Sequence, residues 1–158
     1  MSRFLIPACV ALAVAACAVG GLAPGSSEAQ VRASMGKPAL EYTGGDGSKQ
    51  LFYPRGPMGT ETYVADVGPD GRMRSISNVL TDDTFDRAIR PGMTEQDVLR
   101  TIGPPNETMH FPLSNTHAWD YRYIDTWSYL TIFSVTFDAQ GVVVSKIKRR
   151  IDGRDSRQ

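Results

Sequence analysis

Histidine and cysteine are scarce in this chain, with two of each among 158 residues. Cys9 lies in an N-terminal apolar stretch that an export signal would discard. Cys17 is then the one thiol of the mature chain, and an internal disulfide is excluded. His110 and His117 stand seven residues apart across a loop, with no cysteine or further histidine at a zinc-ligand spacing. They read as exposed strand-end residues, and no metal site is expected. Gly-x-Ser-x-Gly is absent, and Gly44-Gly45-Asp46-Gly47 is not followed by the Gly-Lys-Ser/Thr of a phosphate loop. Asp82, Asp83 and Asp86 could suggest an acidic site, but a helix start, where carboxylates meet the positive end of the helix dipole, accounts for two of them. An excess of one charge sign is missing too: 17 Lys and Arg balance 17 Asp and Glu. A general nucleic-acid binder needs a concentrated basic surface and is not expected. These absences argue against an enzyme, and no cofactor is implied.

Long apolar runs are confined to the N-terminus. Arg3 precedes an apolar run, Phe4 to Ala16, too short to span a bilayer comfortably, and the segment ends Leu12-Ala-Val-Ala-Ala-Cys17. That ending is similar to a bacterial lipobox: aliphatic Val14, two small residues for peptidase access, and a thiol to carry diacylglycerol. The expectation is a lipoprotein signal over residues 1–16, with acylated Cys17 and a small-residue tether over 17–24. The alternative is an ordinary secretory signal cleaved near Ala15 or Ala16. At the other end, Lys146, Lys148, Arg149, Arg150, Arg154 and Arg157 face only Asp152 and Asp155. They read as a solvated strand end followed by a basic tail over 151–158.

What the sequence does contain is a punctuated helix that occurs twice. Thr94 is an N-cap, Asp97 completes a capping box, and Met93 with Val98 suits a hydrophobic staple. Val98, Leu99 and Ile102 share one face. Gly103 can close the helix in a left-handed conformation, and Pro104-Pro105 forbid continuation. Gly25 to Pro38 aligns without a gap onto Gly92 to Pro105, with Ser27 and Gln30 in the capping positions. Downstream, Leu51 and Tyr53 correspond to Trp119 and Tyr121. Tyr63, Ala65 and Val67 precede Gly71 as Phe133, Val135 and Phe137 precede Gly141. The spacing predicts two units, over 25–80 and 81–150, too few for a solenoid.

Within each unit the helix is followed by short alternating strands. In the first they are Leu40 to Tyr42, Gln50 to Tyr53 ended by Pro54, and a hairpin of Thr62 to Val67 with Arg72 to Val79. Thr81 or Asp82 caps a connecting helical turn through Ile89. The second unit has Thr108 to Phe111, His117 to Tyr123, Tyr129 to Phe137 and Val142 to Lys148. The fold class is α+β, as a tandem repeat of a short helix and an antiparallel sheet. Trp119 and Tyr121 are expected in the core, with Asp120 and Arg122 on the opposite face. Tyr123, Trp127 and Tyr129 border or occupy a loop, and two readings stand for them: anchors for a protein partner, or closure of the sheet edge. The candidate surface is thus Asp120, Arg122, Tyr123, Trp127 and Tyr129.

The lipobox, Arg90-Pro-Gly-Met-Thr with Val98 and Gly103-x-Pro105, Trp119-x-Tyr121, and Phe133-x-Val-x-Phe137-Asp-x-x-Gly141-Val-Val together resemble the SmpA/OmlA, or BamE-like, outer-membrane lipoproteins. The second unit carries the match, and the first is a degenerate version. The resemblance implies a non-enzymatic module on the periplasmic side of a Gram-negative outer membrane. Acylated Cys17 would hold it there, and a protein partner would belong to barrel assembly or envelope integrity. A two-unit arrangement is also similar to that of the β-lactamase inhibitory proteins. That likeness implies an alternative: an inhibitor- or sensor-like module binding an envelope enzyme or cell-wall ligand between its units.

Overall fold

The computed structural model describes residues 21–151, so the signal segment, Cys17 and the tail from 152 onward lie outside the described residues. Two four-stranded antiparallel sheets follow one another along the chain, each with its strands in sequence order. The first comprises β1 (Leu40–Thr43), β2 (Lys49–Arg55), β3 (Glu61–Val67) and β4 (Met73–Asn78), preceded by helix α1 (Glu28–Met35). Helices α2 (Asp82–Arg87) and α3 (Glu95–Ile102) then lead into β5 (Glu107–Phe111), β6 (Thr116–Ile124), β7 (Leu130–Phe137) and β8 (Val143–Arg150).

Both capping boxes form. Ser27 and Gln30, and Thr94 and Asp97, bond reciprocally at the starts of α1 and α3, satisfying amide groups that the first helical turn leaves without partners. Each helix start then docks on its own sheet in the same way. Glu28 N donates to Gly71 O, and Glu95 N donates to Gly141 O. Ser27 bridges to Arg72, and Thr94 to Val142. A register shift stands at the matching place in the third strand of each sheet, Asp66/Val67 and Thr136/Phe137.

The first core joins Val31 and Met35 of α1 to Leu51, Tyr53, Ala65, Val67 and Met73. Leu22 is buried in it as well, so the expected tether gives way to ordered, packed chain before residue 24. The second core joins Phe85, Ile89, Val98 and Ile102 to Tyr121, Tyr123, Phe133, Val135, Phe137 and Val143. Each such aliphatic or aromatic side chain contributes roughly 1.5–3 kcal/mol of burial. α2 supplies Phe85, which stacks on Phe133 (4.1 Å between centroids) and meets Tyr123 edge-on (4.6 Å).

Three details differ from the sequence expectation. Pro54 does not end β2, which runs to Arg55. β1 reaches only Leu40, opposite Phe52, so Pro54 lies where β2 has a free edge and its missing N–H costs no ladder bond. Gly103 has the expected positive φ, +80°, but an extended ψ of −167°, a combination essentially restricted to glycine. Finally, the basic residues of β8 are not simply solvated. Lys146 Nζ donates to the carbonyls of Phe85, Asp86 and Ile89 at 2.7–3.0 Å and closes the end of α2.

Candidate partner-docking surface

β6 leaves the sheet through a tight loop, 125–129, whose shape is set by one carboxylate. Asp125 Oδ1 accepts from the backbone N–H groups of Trp127 and Tyr129, both at 2.9 Å. The Asp125 and Ser128 amides add bonds to Tyr129 O and Asp125 O. This is the local turn chemistry for which aspartate is suited. Asp125 Oδ2 accepts from Arg150 Nε at 2.8 Å, and the Arg150 guanidinium lies 4.7 Å from the Tyr129 ring centroid. Burial pushes the Asp125 carboxyl up. The Tyr129 amide, Arg150 and the Trp127 amide outweigh that and hold it below its ordinary range.

Asp82, at the start of α2, braces the loop from beneath. Its carboxylate accepts from Tyr123 Oη (2.7 Å), Thr126 N (2.9 Å), Thr126 Oγ1 (2.8 Å) and Lys148 Nζ (2.8 Å). Lys148 also pairs with Asp86 at 2.7 Å. Burial opposes ionisation of Asp82, but the Lys148 ammonium and the Thr126 and Tyr123 donors hold its carboxyl well below the ordinary range. Burial and the Asp82 carboxylate push the Tyr123 hydroxyl well up. A cavity of about 620 Å³ lies over this network, bordered by Trp127 and Arg150.

The arrangement presents two aromatic side chains on a rigid support. Trp127 is 74% exposed and Tyr129 is 54% exposed. Every ionic group around them that is named above has a hydrogen-bonding partner, so the site offers contact area rather than an unengaged acid, base or nucleophile. Among the described residues there is no group of three potential metal ligands, and no helix is long and apolar enough to cross a membrane.

Of the five expected surface residues, then, Trp127 and Tyr129 are exposed together. Tyr123 is fully buried: the alternation of β6 turns it inward with Tyr121, beneath α2. Asp120 is also buried, accepting from Ser134 Oγ at 2.6 Å on the sheet's other face. Arg122 shares that face and donates to Glu107 at 3.2 Å. The five therefore do not form one patch. His117, expected at an exposed strand end, instead stacks on Phe137 and meets Glu95 at 2.5 Å. Sequence reasoning missed Asp125 and Arg150. The signal available for Asp125 was an aspartate two residues before an exposed tryptophan, in a loop too short to order itself otherwise.

Comparison with known proteins adds three findings. Residues 77–147 match the family described as the outer membrane protein assembly factor BamE domain. No curated protein matches the chain. A solved structure described as the osmotically inducible lipoprotein OsmE is 23% identical, with a TM-score of 0.39, over 44% of this chain and 78% of that one.

Proposed function

We propose, from the match of residues 77–147 to the BamE domain family, that the chain is a lipid-anchored periplasmic interaction module serving outer-membrane protein assembly or envelope integrity. Acylated Cys17 is the anchor in this reading, on the inner leaflet of the outer membrane of a Gram-negative cell. The support for it is the apolar signal ending in Val14-Ala-Ala-Cys17. The two units, 25–80 and 81–150, are read as a tandem duplication, supported by the matching capping boxes, helix-to-turn bonds and register shifts. The module works by docking, without catalysis.

One observation carries the docking role: Trp127 and Tyr129 project from a loop whose backbone is bonded to buried Asp125 and to Asp82. A pre-ordered aromatic pair loses little conformational freedom on binding, and such residues dominate interface energetics. Arg122 contributes from the neighbouring sheet face only if the partner wraps the edge.

Intact-mass spectrometry of membrane-extracted protein tests the anchor. The expected result is a chain starting at acylated Cys17, with the lipid lost in Cys17→Ser. A mature chain without lipid would sink the anchored reading. Co-purification of barrel-assembly subunits, reduced by Trp127→Ala, tests the docking role separately.

A further inference from the structure

The first sheet has α1 on one face and the second unit against part of the other. Phe52 is completely buried there, and Asn106 Nδ2 donates to Gly59 O across the junction at 3.0 Å. The remainder of that face is open. Tyr42, Gln50, Asp66 and Ser75 border a groove of about 430 Å³, which Arg74 and Arg100 also line. Arg100 belongs to α3 of the second unit and the other five to the first sheet. Neither unit makes this groove alone.

Its charges are unequally satisfied. Asp66 accepts from Gln50 Nε2 (3.1 Å) and Ser75 Oγ (2.8 Å), so both of its oxygens are engaged. Lys49, at the margin, is committed to Glu28 at 3.0 Å. Among the described residues Arg74 and Arg100 make no hydrogen bond or contact ion pair, although Asp46 and Asp97 act on them as neighbouring charges. Arg100 is nonetheless positioned: its guanidinium lies 4.9 Å from the Tyr42 ring centroid, and Tyr42 meets buried Phe52 edge-on at 5.9 Å. A guanidinium held by its face over an aromatic ring keeps its N–H edge free for a planar oxyanion.

We infer that this groove binds an acidic peptide segment, whose carboxylates pair with Arg100 and Arg74. Asp46 and Asp97 offset part of the arginines' charge, so what the site offers a carboxylate is two guanidinium groups whose N–H donors are not used within the chain. Guanidinium–carboxylate pairs are the strong, directional bonds for such recognition. The volume lies in the range of ligand pockets, well above that of a single ion. Asp66 on the same face and the zero net charge of the chain disfavour a nucleic-acid backbone, which needs a continuous basic surface. The first unit thereby acquires a role of its own: it provides the sheet face on which α3 presents Arg100.

Fluorescence anisotropy of purified full-length protein with a fluorescein-labelled tetraglutamate probe tests this, with labelled tetraglutamine as control. Tetraglutamate should bind at least about tenfold more tightly, a ~1.4 kcal/mol difference. Arg100→Gln and Arg74→Gln should each cost about tenfold, while Lys37→Gln, outside the groove, changes nothing. Thermal melts of each variant separate lost binding from lost folding. Equal binding of the two probes, no binding, or full binding by both Arg variants would overturn the inference. So would displacement by inorganic phosphate at the concentration at which unlabelled tetraglutamate displaces the probe, which would make this a simple anion site. None of these outcomes bears on the anchor or the Trp127 surface.

Discussion

Gly103, at the end of α3, closes on Phe52 of the first sheet so tightly that a Cβ added to it would stand 3.0 Å from the Phe52 ring and 3.1 Å from Thr62 Cγ2. The glycine is required twice, by its backbone conformation and by the neighbouring unit. This contact helps join the two halves and holds α3 beside the groove.

Gly103→Val should therefore destabilise the protein by about 2–5 kcal/mol, combining a disallowed φ/ψ pair with overpacking. Urea or thermal denaturation measures it. An unchanged midpoint would show that α3 can end without glycine and that the halves separate readily at this point.

Corresponding tyrosines in the two halves should respond in opposite ways. Tyr121 Oη donates to Gly103 O at 3.1 Å in the second core. The Tyr53 hydroxyl, at the matching place in the first, is buried without a hydrogen-bond partner among the described residues. Tyr121→Phe should cost about 1 kcal/mol, whereas Tyr53→Phe should be neutral or stabilising by a similar amount. Equal losses in both would contradict this difference.

Asp82 makes a pH prediction. Its folded-state pKa is depressed, so the stability it contributes is full above its unfolded value of about 3.9 and is lost as pH falls below that. Asp82→Asn should be less stable than wild type at pH 7, and the gap should narrow markedly by pH 3. Paired urea titrations at the two pH values measure it. A gap of constant size would mean that the ionised carboxylate is not what braces the loop.

Much of this arrangement is legible in the sequence because it is local. Ser27 with Gln30, and Thr94 with Asp97, lie three residues apart and cap their own helices, so reading them requires no tertiary knowledge. The alternation Phe133, Val135, Phe137 likewise names its own inner face. Residues whose partners lie far along the chain were harder to read. Tyr123 continues the inward series of Trp119 and Tyr121, but the chemistry that buries it comes from Asp82 and Phe85, some 40 residues earlier. Lys146 resembles a solvated strand-end cation until α2 is placed so that its final carbonyls meet the ammonium. Arg100 reads as an ordinary basic residue in a last helical turn, because Tyr42 is visible beside it only once the units pack.

The measurement that bears most directly on the docking role is photocrosslinking in living cells with a photoreactive amino acid at position 127, against a control at position 37. A partner surface centred on Trp127 predicts a discrete crosslinked product from position 127, containing an outer-membrane assembly subunit, and none from position 37. Crosslinking from neither position, or equally from both, would contradict the account.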